Sequence, residues 1–164
     1  KINIFLGINK GTYFTKGISY FEKALEIIAS KYGNKIDINI VENIPYNEYI
    51  KLYNKAHIVL DQVYAYDQGY NALEAMAKGK VVFTGAEKEF VDYYKLDEKV
   101  ATNALPDVAY LVTQLSYLIE NPNDKKIIQD LYQLSARFAD LDSLIFKELY
   151  LIETPNFFKR LFIR

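Results

Sequence analysis

The chain has 164 residues, about half hydrophobic and a quarter charged, enough for one globular domain with a genuine core. A net charge of −1 argues against a nucleic-acid binder working by bulk electrostatics. The absence of cysteine excludes a disulfide framework, a thiolate metal site and a cysteine nucleophile.

A single histidine leaves little material for a His-rich metal site. The apolar runs are too short for a membrane span and no signal peptide is visible, so the expected location is cytoplasmic. Fifteen tyrosines without a tryptophan assign no function by themselves.

The chain opens as a strand, Lys1-Ile2-Asn3-Ile4-Phe5-Leu6, with no initiator methionine, and is expected to be a piece of a longer protein. Residues 2–8 form that strand and lead into a loop, Asn9–Thr15. A helix begins near Lys16-Gly17, with Ile18, Phe21, Leu25 and Ile28 at spacings of three and four and Thr15 as its N-cap. Tyr32-Gly33-Asn34 closes it. Ile36–Val41 is a second strand, and Pro45 with Asn47 starts a short helix that runs to about Asn54. His57-Ile58-Val59-Leu60 has the length and β-branching of a buried strand.

The next stretch, Asp61–Gly79, passes through a polar and aromatic turn and enters a helix at about Gly69. Ala72, Ala75 and Met76 share one face of it, and Gly79 is its stop signal. Val81–Thr84 is a fourth strand, and Val100-Ala101-Thr102 is expected to be a fifth. Pro106-Asp107 opens an amphipathic helix carrying Val108, Leu111, Val112, Leu115, Leu118 and Ile119, which Asn121–Asp124 breaks. Two further helices are expected, one carrying Ile127, Ile128, Leu131, Leu134 and Phe138, the other from about Leu141 to Ile152.

Strands alternating with helices predict a Rossmann-like three-layer α/β/α fold with a five-stranded parallel sheet and extra C-terminal helices. Right-handed crossovers give the order 2-1-3-4-5. Ligands bind such sheets at the carboxyl ends flanking the topological switch, which here are the loops 9–17 and 61–70.

Both loops carry chemistry. Lys10 and Lys16 straddle Gly11 and Gly17, and cations beside closely approachable backbone suit a diphosphate; solvated surface lysines are the bland reading. The helix mouth at Gly69 presents backbone N–H groups and the positive end of a dipole, which suits an anion. Glu74, one turn on, is either a hydroxyl acceptor for the same ligand or an exposed helix glutamate. Asp67 reads better as an N-cap than as a ligand contact, and Asp61 and Gln62 end a strand at the switch. His57 reads as a structural histidine. No G-x-S-x-G, P-loop or G-x-G-x-x-G motif is present.

Three segments together resemble the C-terminal, donor-binding domain of glycosyltransferase family 4, whose members have two Rossmann-like domains in the GT-B architecture. Gly69–Gly85, GYNALEAMAKGKVVFTG, looks like the family's glycine, EAMA-x-G and following strand. Thr15-Lys16-Gly17 is similar to its KG motif after strand one. Asn43-Ile44-Pro45 with Glu48-Tyr49 and Lys55–Ile58 looks like the segment near the base, and Asn121-Pro122 also fits. The resemblance covers roughly residues 2–140.

The resemblance implies a nucleotide-sugar donor as substrate, with no cofactor or metal. Lys16, with Lys10 near the family's usual arginine, would contact the donor diphosphate beside Gly11, and these two lysines are the catalytic candidates. Gly69 and the amides of Tyr70 and Asn71 would cradle phosphate. Glu74 would bind the ribose, and Asn43, Ile44 and Pro45 would lie near the base. The donor sugar would lie near Tyr66, Asp67 and Gln68. Here the chain departs from the family, because Tyr66 stands where a second glutamate is usual, eight residues before Glu74.

The implied activity is that of the donor-binding half of a retaining glycosyltransferase. Residues 1–153 would form the donor domain, and 154–164 a crossover segment reaching back to an N-terminal acceptor domain that this chain lacks. The isolated piece would bind donor without turnover. Alternatives are a nucleotide-sugar epimerase of the same architecture and a non-catalytic nucleotide-binding or interaction module with a decayed site. A receiver-like signalling domain is rejected because the first loop is basic where that chemistry needs acid. No nucleic-acid partner is expected. A peripheral membrane contact through the basic, apolar C-terminal stretch is a rival without further support.

Overall fold

The computed structural model describes residues 1–66, 68–93 and 101–122. Within them five strands and five helices alternate along the chain. They are β1 (Ile2–Ile8), α1 (Ile18–Tyr32), β2 (Ile36–Glu42), α2 (Tyr46–Lys55), β3 (Ile58–Leu60), α3 (Tyr70–Ala77), β4 (Val81–Thr84), α4 (Lys88–Tyr93), β5 (Thr102–Asn103) and α5 (Val108–Glu120). The expected helices around 127–138 and 141–152, the segment 154–164, Asp67 and Val100 lie outside the described residues.

The strands form one sheet in the order β2-β1-β3-β4-β5, every neighbouring pair parallel. This is the Rossmann-like three-layer arrangement that the alternation predicts. Leu6 of β1 lies opposite Ile40 on one side and Leu60 on the other, so β1 and β3 are the inner strands at the switch.

Period-two alternation sends successive side chains to opposite faces, and each face builds its own core. Ile4, Leu6, Ile58, Leu60 and Phe83 pack with Phe21, Leu25 and Ile28 of α1 and Leu111 and Leu115 of α5. Phe5, Val59 and Val82 pack on the other side with Tyr53 of α2, Ala72, Ala75 and Met76 of α3, and Phe90 of α4. Each large side chain fully buried this way contributes about 1.5–3 kcal/mol. The two alanines are fully buried and let α3 lie directly on the sheet, which brings its first turn close to the strand ends.

Three boundaries depart from the sequence reading. Thr15 does not cap α1; its hydroxyl donates to the carbonyl of Thr12, and Gly17 holds the N-cap position in the left-handed conformation, φ +65°. The reason is a tight turn, in which the amides of Lys16, Gly17 and Ile18 donate to the carbonyls of Thr12, Phe14 and Tyr13. The fifth strand is Thr102–Asn103 rather than 100–102, because pairing with β4 sets Thr102 opposite Phe83 and Asn103 opposite Thr84. β3 begins at Ile58, one residue after His57.

Elsewhere the local signals hold. Pro45 takes the N-cap position of α2, and Asp107 caps α5 by accepting from the amide of Tyr110 at 3.1 Å. Gly79 ends α3 with φ +69°.

Gly17 is required twice over. Its φ is one that side chains rarely adopt, and a Cβ there would stand 2.3 Å from Cγ2 of Val63. Gly17→Ala is expected to cost about 2–4 kcal/mol, from the left-handed penalty and overpacking together. Gly79→Ala also has positive φ but meets nothing within 4 Å, so it should cost only about 1–2 kcal/mol. Urea denaturation of both variants checks the difference, and equal losses would remove the close approach from the explanation.

Candidate functional site

The carboxyl ends of β1 and β3 meet at an ion pair. Nζ of Lys16, in the loop after β1, donates to Oδ1 of Asp61, just past β3, at 2.6 Å. The Asp61 side chain is 2% exposed and that of Lys16 26%, so the carboxylate is buried while the lysine side chain is partly open to solvent. Thr84, at the end of β4, donates its hydroxyl to Oδ2 of Asp61 at 3.1 Å. The amide of Val63 donates to the carbonyl of Lys16 at 2.9 Å, so backbone joins the two loops as well.

The N-terminus of α3 abuts this pair. Gly69 occupies its N-cap, and a Cβ there would stand 3.4 Å from Oδ2 of Asp61. Helix geometry leaves the amides of Gly69, Tyr70 and Asn71 without an acceptor inside the helix, and the dipole adds positive potential there. Lys16 and the Gly69 helix mouth are thus brought together, with Asp61 between them.

Lys10 is turned the other way. Its Nζ pairs with Oε1 of Glu42, at the end of β2, at 2.8 Å, and that hydrogen bond raises its pKa. The amide of Gly11 donates to the side chain of Asn9. The structure therefore does not set Lys10 beside Lys16; the two face opposite neighbours of β1.

Glu74 lies on the second turn of α3 and accepts from Nζ of Lys78 at 2.7 Å, an i,i+4 pair. Its charge reaches two rings. Burial first, then Glu74 and Asp61, push the Tyr49 hydroxyl up to about 12, and the same influences raise Tyr53. Tyr49 and Tyr53 stack on one another and both meet Phe5 edge-on. The hydroxyl of Tyr53 donates to the carbonyl of Asn71, tying α2 to the first turn of α3. Apolar spacing marked none of these rings as special.

In the segment expected near a base, Asn43 adopts φ +49°, which asparagine tolerates, Ile44 is half-buried and Pro45 starts α2. Around the expected sugar position, Tyr66 is exposed and its carbonyl accepts from the amide of Glu87. The side-chain amide of Gln68 donates to the carbonyl of Gly85 at 2.7 Å. Asp67 lies outside the described residues. Among the described residues no group of three or more His, Asp or Glu side chains converges to hold a metal. Nor is any helix long and apolar enough to cross a membrane.

A cavity of about 690 Å³ opens at the opposite, amino-terminal edge of the sheet, with Lys35, His57, Lys78 and Lys80 among its walls. Two of its cations are committed internally. Lys80 is buried and donates to the carbonyls of Asn54 and Ala56, closing the end of α2, and burial lowers its pKa. Lys78 is held by Glu74 and Asn54. Nδ1 of His57 accepts from the amide of Asn3 at 2.9 Å, so this histidine is structural as its sequence position implied.

A parallel sheet of this order, with a helix mouth and a cation at its switch, defines a Rossmann-like α/β domain. Within that class, the chain belongs to the glycosyl transferase-like family, whose model matches residues 15–137. No curated protein matches the chain.

Two expectations follow from the geometry. Lys16→Ala strips a buried carboxylate of its cation and should lower domain stability by about 1–3 kcal/mol. Lys10→Ala, at an exposed pair, should leave the denaturation midpoint where it was. Equal effects would mean that the Asp61 pair is no more than a surface contact. For His57, burial foremost and then Lys80 and the N-terminus lower the pKa below the ordinary 6.5. As pH falls below 6.5 the unfolded chain takes up the proton first, so stability drops there and is complete above it. His57→Gln should shrink that acid loss in denaturation curves taken on both sides of 6.5; an unchanged acid limb would refute the assignment.

Proposed function

We propose that this chain is the donor-binding part of a retaining glycosyltransferase of GT-B architecture, holding a nucleotide-sugar at the β1/β3 switch. The observation that carries the reading is the convergence of Lys16 and the Gly69 helix mouth on Asp61, in a chain of the glycosyl transferase-like family. The donor diphosphate lies between that ammonium and the amides of Gly69, Tyr70 and Asn71. Glu74 exchanges Lys78 for the ribose hydroxyls, and Asn43–Pro45 borders the base.

In the transfer, the bond from the anomeric carbon to the diphosphate oxygen breaks and its electron pair stays on that oxygen. The Lys16 ammonium and the α3 amides stabilise the charge that develops there, the role such fixed donors perform best. An acceptor hydroxyl then bonds to the same face of the anomeric carbon and passes its proton to the departing diphosphate oxygen, which holds the electron pair of the broken bond. In this reading the acceptor site belongs to a separate N-terminal domain, residues 1–153 are the donor domain and 154–164 the crossover. The work is cytoplasmic and needs no metal.

A second reading, a nucleotide-binding module without turnover, is favoured by two features. Lys16 already has an internal anion, and Tyr66 replaces the family's second glutamate.

Titration calorimetry with UDP, GDP and ADP tests the shared core of both readings. One of the three is expected to bind at millimolar concentration or tighter. Lys16→Ala should weaken it by about 1–3 kcal/mol, as loss of a charge-assisted hydrogen bond does, once folding of the variant has been verified. Glu74→Gln should weaken ribonucleotides while leaving the melting temperature nearly unchanged. Heat-silent titrations with all three nucleotides would refute the reading, and an unaltered affinity in Glu74→Gln would return Glu74 to the helix surface.

A further inference from the structure

The proposed transfer gives Asp61 no part, yet Asp61 holds Lys16 and lies beside the Gly69 helix mouth, the two groups assigned to the diphosphate. It is 5% exposed, takes Lys16 Nζ at 2.6 Å on one oxygen and the Thr84 hydroxyl at 3.1 Å on the other. The second oxygen also faces Gly69, where a Cβ would stand 3.4 Å away, so the carboxylate borders the positive end of α3. Fixed at a strand end, buried and anchored by Thr84, this anion stays at the seam when another anion arrives.

We propose that Asp61 is the internal counter-anion of the diphosphate site, a positioning residue that aims Lys16 and limits how tightly the diphosphate is held. The inference rests on the nucleotide reading above. Two effects oppose each other. The carboxylate fixes one N–H of the ammonium and leaves two for a ligand, which prepares the site. It also repels phosphate oxygens at close range and competes for the same cation and helix end.

Repulsion is the larger effect. An asparagine at 61 still offers Lys16 an acceptor oxygen, so most of the aiming survives, while the opposing charge is gone. The carboxylate therefore lowers affinity in exchange for release of a product diphosphate, which a transferase must discharge after each turnover.

The test is calorimetry of inorganic pyrophosphate and of UDP on the 164-residue chain and on Asp61→Asn and Asp61→Ala. Asp61→Asn is expected to bind both about tenfold tighter than the unaltered chain, with a steeper salt dependence. Asp61→Ala, which loses the aiming too, should gain less. Unchanged or weaker binding by a folded Asp61→Asn, while the unaltered chain binds, overturns the counter-anion and leaves the nucleotide reading intact. Failure of the unaltered chain to bind pyrophosphate overturns the counter-anion, and failure to bind any of UDP, GDP and ADP overturns the nucleotide reading as well.

Should Asp61→Asn not fold, the Lys16 ammonium followed by nitrogen NMR in the unaltered chain decides. Pyrophosphate is expected to shift its signal as the cation is shared with the ligand. Saturation without any shift at Lys16 overturns the proposal.

Discussion

The ion pair between Lys16 and Asp61 is the constraint that joins the loops at the topological switch. A carboxylate with so little contact with water is costly unless a cation and hydrogen-bond donors meet it. Lys16 supplies the cation from the loop after β1 and Thr84 the second donor from the end of β4, the strands on either side of β3. The pair therefore fixes three strand ends relative to one another. The Val63 amide and the close approach of Val63 to Gly17 fix the same loops through backbone and packing. Removing any one of these contacts disturbs the others, because all of them place the loop after β1 against the loop after β3.

The layers beneath explain why that seam is where it is. Alternation along β1 and β3 gives each sheet face its own core, with α1 and α5 on one side and α2, α3 and α4 on the other. The two faces differ in character. The α1 side is mainly aliphatic, with Phe21, Tyr32 and Phe83, whereas the α3 side uses alanines against the sheet and places Phe5, Tyr49 and Tyr53 beside them. Edge-to-face pairs of that kind add about 0.5–1.5 kcal/mol each beyond buried area. The Tyr53 hydroxyl also holds the carbonyl of Asn71, which ties α2 to the first turn of α3.

Much of this was legible in the sequence because it is local. Ile2–Ile8, Ile36–Glu42 and Val81–Thr84 alternate or run apolar, and the three-and-four spacing of Ile18, Phe21, Leu25 and Ile28 names the buried face of α1. Handedness then fixed the order of strands, and the order located the loops. Partner choice was not legible. Lys10 and Lys16 look alike beside their glycines, but Glu42 and Asp61 claim them separately, and the Lys16 partner lies 45 residues away. Asp61 could be seen to end a strand, but nothing local says that it will be buried against a lysine and a threonine. Thr15 has the chemistry of a cap; the turn at Thr12–Gly17 and the left-handed Gly17 displaced it.

The central claim is that a nucleoside diphosphate sits where the carboxyl ends of β1 and β3 meet. Amide chemical-shift mapping with the tightest-binding nucleoside diphosphate tests it most directly, because it reports location as well as binding. Shifts concentrated at residues 16–18, 61–64 and 69–74 are expected. Shifts confined to the opposite sheet edge, around Lys35, His57 and Lys78–Val81, would contradict the account.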